Sequence, residues 1–121
     1  MALDLFAGIR VSDFERAKAW YVRLLGTEPS FFPHETEAVW QITEHGSIYI
    51  VEVAEGAGGC VNTIVAGDFD ERVAAMAARG IEPDERETYS NGVRKAIYRD
   101  PDGNEVGFAD AGSGASGRRQ E

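Results

Sequence analysis

The sequence is poor in the residues that carry most protein chemistry. Among its 121 residues there is one cysteine, Cys60, and there are two histidines, His34 and His45. A lone cysteine cannot close an internal disulfide, which excludes a disulfide-stapled secreted scaffold. Cys60 follows Gly58-Gly59 and has no basic neighbour to lower its pKa, so it reads as a small apolar residue at a strand start rather than a nucleophile. The histidines stand beside turn-like residues, Pro33 and Gly46, and lack a spaced partner; they read as exposed loop positions. No apolar run approaches the roughly 20 residues of a membrane-crossing helix. The start of the chain has neither the basic segment nor the apolar stretch of a secretory signal, so a cytoplasmic location with no membrane partner is expected. A nucleophile elbow, a Walker loop, a dinucleotide fingerprint and a paired-histidine helix motif are all missing.

Basic residues are also scarce: 12 Lys and Arg face 21 Asp and Glu, a formal charge of −9. Such a surface repels phosphates, and no nucleic-acid partner is expected. The 43% hydrophobic content is enough for one core, and 121 residues leave no room for a second domain.

The order of local signals is informative. Leu3 to Val11 is a β-like run ending at Ser12-Asp13, and Ser12 with Glu15 has the form of a capping box. Phe14, Ala17, Trp20, Tyr21, Leu24 and Leu25 follow at helical spacing, closed by Gly26. Phe31-Phe32, Ala38 to Ile42 and Ser47 to Val53 read as three strands, with a tight turn at His45-Gly46. The pattern then recurs: a strand over Val61 to Ala66, a cap at Asp68 with Glu71, and an alanine-rich helix closing at Arg79-Gly80. Strands are expected near Ile81 to Thr88, Val93 to Arg99 and Glu105 to Ala109, with a turn at Ser90-Asn91-Gly92. Asp13-Phe14 recurs as Asp68-Phe69, Leu25-Gly26 as Arg79-Gly80, and Gly46 as Gly103, at offsets of 55, 54 and 57. The fold class is therefore α+β, with two βαβββ modules, about 3–54 and 60–110, in one domain over 1–110. Helices are expected near 13–25 and 68–79, Glu55 to Gly59 is the linker, and the Gly- and Ser-rich tail 111–121 reads as disordered. Asp100-Pro101-Asp102-Gly103-Asn104 reads as a solvated hairpin turn.

The run Ile9-Arg10-Val11-Ser12-Asp13-Phe14-Glu15-Arg16-Ala17, with Trp20-Tyr21, Leu24-Leu25-Gly26 and the closing Tyr98-Arg99-Asp100-Pro101-Asp102-Gly103-Asn104, resembles the vicinal oxygen chelate superfamily of glyoxalases, bleomycin-resistance proteins and ring-cleaving dioxygenases. The resemblance spans residues 3 to 110. It implies an eight-stranded, cup-shaped mixed sheet with helices on its convex face, commonly completed by dimerisation or module exchange. It also implies metal-ligand positions on the first and last strand of each module, which fall here on Phe6, Val61, Ile50 and Gly107. None of these side chains is a metal donor, so no metal and no other cofactor is expected.

Strand alternation places Phe6, Gly8 and Arg10 on one face, Val61, Thr63 and Val65 on its repeat, and Ile48, Ile50 and Glu52 on the closing strand. With Trp40 and Tyr98 as further walls and Gly107 on the floor, these residues are the expected lining of a mostly apolar small-molecule pocket. Phe31 and Phe32 are additional aromatic candidates. The functional expectation is a homodimer, free of metal, that sequesters a drug or metabolite. The alternatives are a lyase, isomerase or oxidoreductase of the glyoxalase or dioxygenase kind, with Glu52 or Glu105 as the candidate base, and a regulatory or scaffold dimer.

Overall fold

The structure of the protein, a computed structural model, describes residues 3–110. The expected disorder of 111–121 falls outside the described residues. Module one runs β1 (Leu5–Val11), α1 (Phe14–Leu25), β2 (Phe31–His34), β3 (Glu37–Thr43) and β4 (Gly46–Glu52). Module two runs β5 (Val61–Ala66), α2 (Phe69–Ala78), β6 (Glu85–Thr88), β7 (Arg94–Arg99) and β8 (Glu105–Asp110). The eight strands form two mixed four-stranded sheets, ordered β1-β4-β3-β2 and β5-β8-β7-β6. In each, the first strand pairs in parallel with the last and the others pair antiparallel. This is the duplicated α+β architecture; the sheets do not close on one another.

Helix α1 forms where the 3.6-residue period puts Phe14, Ala17, Tyr21 and Leu24 on one stripe, and all four are buried. Its N-terminus is not capped by Ser12. Asp13 is the cap, its carboxylate accepting from the Arg16 N–H at 3.2 Å, and Glu52 Oε1 accepts the Phe14 N–H at 2.9 Å. Two carboxylates therefore satisfy orphan donors at the positive end of the helix dipole. Gly26 ends the helix at φ +81°, where its N–H reaches Val22 O at 2.8 Å.

Helix α2 is thinner, burying Phe69 and Met76, and its Asp68 carboxylate pairs with Arg72 Nε at 2.7 Å instead of capping. Arg79 ties the two helices together, since its guanidinium donates to Arg23 O and, at 3.0 Å, to Leu24 O, two free carbonyls at the end of α1. Strand β6 begins at Glu85 rather than Ile81. The Ile81 N–H still bonds Met76 O as a helix ending, and Pro83 has no N–H to give to a ladder. Both helices pack on one side of their sheets, and a single apolar cluster joins Ile9, Tyr21, Trp40 and Ile50 of module one to Met76, Tyr98 and Phe108 of module two.

The turn Asp100–Asn104 is solvated only at its tip, where Gly103 is exposed; its two ends, expected to be solvated too, are buried. Asn104 is 0% and Asp100 5% exposed. Asp100 accepts from Tyr21 Oη, the Asp102 and Asn104 N–H groups and Asn104 Nδ2, each at 2.9 Å. Asn104 Oδ1 accepts from the Gly58 and Cys60 N–H groups at 3.1 and 3.0 Å, and its Nδ2 also donates to Arg10 O at 2.9 Å. Asp102 accepts from both the N–H and the hydroxyl of Ser12, which explains why Ser12 does not cap the helix. A turn that reads locally as a hairpin device is the polar joint between β1, α1, the linker and β8. Burial and the neighbouring Asp100 carboxylate push the Tyr21 phenol far above its ordinary value, so it stays a donor.

Candidate functional site

Residues opposite one another in a ladder share a face, so the register decides what stands together. Phe6, Gly8 and Arg10 lie opposite Ser47, Tyr49 and Val51. Val61, Thr63 and Val65 lie opposite Glu105, Gly107 and Ala109. These positions form the open face of each sheet, away from the helices. Phe6 is 49% exposed there, and Val61 and Val65 are each 65% exposed.

Ile48, Ile50 and Glu52 lie instead opposite Ala7, Ile9 and Val11, on the helix side. Their expected place beside Phe6 is corrected by one residue, and one residue in a strand exchanges the faces. Ile48 and Ile50 are core. Trp40 and Tyr98, proposed as pocket walls, are core as well: Trp40 Nε1 donates to Thr27 O at 2.9 Å, and Tyr98 is fully buried, its ring edge-on to that of Phe108 with centroids 5.9 Å apart. The Tyr98 hydroxyl has no partner among the described residues, and burial raises its pKa. Glu52 is committed to the α1 N-terminus. Glu105 does face the open side, where its Oε1 lies 3.5 Å from an Arg99 guanidinium that also holds Glu85 at 2.5 Å. Phe31, opposite Val39 on β3, stands half-exposed on the open side of sheet one.

Two side chains on the open face escaped the sequence reading. The Tyr49 ring lies across Gly8: a Cβ built on that glycine would meet the phenol carbon at 2.6 Å. Lys95 lies across Gly107 in the same way, its Cε 2.6 Å from such a Cβ. A signal for Tyr49 was present, since in Ile48-Tyr49-Ile50 the flanking isoleucines are the more apolar pair and claim the core. The contact of Lys95 with Gly107 joins β7 to β8 and had no sequence signal.

The register also revises the metal positions implied by the family resemblance. With Phe6 matched to Val61, the module-one counterpart of Gly107 is Tyr49, at an offset of 58, rather than Ile50. Phe6, Tyr49, Val61 and Gly107 offer one phenol between them. Among the described residues no three His, Cys, Asp or Glu side chains converge as a metal site. This donor set does not fit the divalent metal of the family.

On the helix side, two clefts of about 270 Å³ each open, one at the seam between modules by Trp40, Ile42, Ile64 and Phe108, the other between α2 and β6 by Phe69, Val73 and Arg86. Among the described residues the two sheets stay separate, and no strand of one pairs with the other to close over the open faces. No helix among the described residues is long and apolar enough to cross a membrane.

Comparison with known proteins agrees with this architecture. No curated protein matches the chain. Among solved structures, a glyoxalase/bleomycin resistance protein from Catenulispora acidiphila is 51% identical, covers 90% of this chain and 98% of its own, and superposes with a TM-score of 0.88. A bleomycin-binding protein complexed with bleomycin shares the fold at 18% identity, 90% and 98% coverage and a TM-score of 0.73. So does a lactoylglutathione lyase from Agrobacterium tumefaciens, at 18% identity, 91% and 94% coverage and a TM-score of 0.72. A family model matches residues 3–108 and, with the duplicated modules, shows that the chain belongs to the glyoxalase/bleomycin resistance protein/dioxygenase superfamily.

Proposed function

We propose that the protein is a metal-free small-molecule binder of the bleomycin-resistance type, which sequesters a drug or metabolite against the open faces of its sheets. The observation that carries this reading is the apolar character of those faces where they meet solvent. Phe6, Val61 and Val65 stand about half to two-thirds exposed on first strands that have a free edge, a surface that costs free energy unless something covers it. Scattered polar groups among them, such as Thr63 and Arg10, are what a pocket uses to orient a ligand. The absence of a fitting donor set at Phe6, Tyr49, Val61 and Gly107 favours binding over the metal-assisted chemistry of the enzyme relatives.

A single open face makes only half a cup. The second wall comes from another copy in a homodimer, which also removes the free edges of β1 and β5. The test is native mass spectrometry of the purified protein. A dimer, at twice the 13.2 kDa chain mass, carrying a copurified small molecule and no metal is the expected result. About one zinc, iron, nickel or manganese per chain, or an activity lost to a chelator and restored by the metal, refutes it.

A further inference from the structure

Lys95 is the least satisfied cation of the open face. Arg99 is held between Glu85 and Glu105, and Arg10 donates to Glu55 O at 3.2 Å. Lys95 has no carboxylate or hydrogen-bond partner among the described residues. An acid is close at hand, because Glu87 is its cross-strand partner on the same face. Glu87 instead accepts from Tyr89 Oη at 3.0 Å, and the lysine stem turns the other way, onto Gly107. Its Nζ comes within 3.5 Å, and Thr63 Oγ1 within 3.7 Å, of the point where a Gly107 Cβ would be. An ammonium and a hydroxyl thus converge over a glycine, with Val61 and Val65 beside Thr63 on β5. Any side chain at position 107 would displace the lysine.

We infer that the open face of module two, with Lys95 as the anchor and Thr63 beside it, selects a ligand that carries an anionic oxygen group on an apolar body. This rests on the binding function proposed above. An ammonium in a half-buried apolar setting gains most from a charged acceptor, while Val61 and Val65 supply contact for the apolar part. The inference runs against the net charge of −9, which by itself disfavours anions, so it separates local from global electrostatics.

The test compares two probes with one aromatic skeleton, 8-anilinonaphthalene-1-sulfonate and the uncharged N-phenyl-1-naphthylamine, titrated by fluorescence into the full chain. The sulfonate is expected to bind more tightly. Lys95→Met, which keeps most of the stem, is expected to weaken it about tenfold, the size of one charge-assisted hydrogen bond, and to leave the neutral probe unchanged. Lys95→Arg should restore the preference, and Lys18→Met, on α1, should not alter it. Equal affinities that Lys95→Met does not move would overturn the anion anchor and leave the pocket standing. Failure of both probes to bind the wild-type chain would overturn the pocket, and the anchor with it.

Discussion

Replacing Asn104 by alanine tests the polar joint on which the architecture depends. Asn104 is 0% exposed and its side chain makes four hydrogen bonds, to Arg10 O, Asp100 Oδ2 and the Gly58 and Cys60 N–H groups. Alanine removes all four and adds none. A buried group left without a partner costs about 1–3 kcal/mol, but Arg10 and Gly58 are near enough to solvent to recruit water, and Asp100 keeps three donors. Counting about 1 kcal/mol for each of the three groups that lose their partner outright gives about 3 kcal/mol. For a chain of this size that is a fall in Tm of roughly 12 °C. Urea unfolding followed by tryptophan fluorescence and by circular dichroism should show a lower midpoint at an unchanged slope. Asn104→Asp should be worse, since it sets a second carboxylate against Asp100. A loss under about 0.5 kcal/mol for Asn104→Ala would refute the claim that this turn joins the modules.

Further outcomes follow from the same structure. Gly58→Ala should destabilise by about 2 kcal/mol or more in the same unfolding assay, because φ is +99° and the new Cβ would meet the backbone oxygen of Asp102, a residue whose carboxylate is tied to Ser12. The Tyr21 phenol titrates above its unfolded value of about 10, so its contribution is complete below that pH and is lost as pH rises beyond it; urea melts at pH 8 and pH 11 should show the fall, and Tyr21→Phe should reduce it while lowering stability at pH 8 by about 2 kcal/mol. Val61→Glu, at a site 65% exposed, should leave the unfolding midpoint within about 0.5 kcal/mol of wild type yet abolish binding of N-phenyl-1-naphthylamine, and retained binding would remove Val61 from the pocket. Gly107→Ala should push Lys95 aside and weaken the sulfonate probe more than the neutral one, with an unchanged ratio counting against their contact.

Local chemistry in the sequence determined the duplicated order of elements. The 3.6-residue stripe from Phe14 to Leu24, the stop at Gly26 and their repeat near Asp68 and Gly80 depend on neighbours a few residues away, and they appear in the structure within a residue or two of where they read. The open-face alternation of β1 and β5 was legible for the same reason, since the period of a strand is local. Tertiary structure decided how those faces combine. The relation of β4 to β1 rests on a ladder between residues about 40 apart, and an offset of 58 rather than 57 moved Ile50 into the core and brought Tyr49 over Gly8. Long-range hydrogen bonding likewise turned Asp100–Asn104 from a surface turn into the joint of the molecule, because its acceptors and donors meet Tyr21, Arg10 and Gly58 only after the modules pack. Lys95 over Gly107 is of the same kind: the space left by a missing side chain on β8 has meaning only once β7 lies beside it.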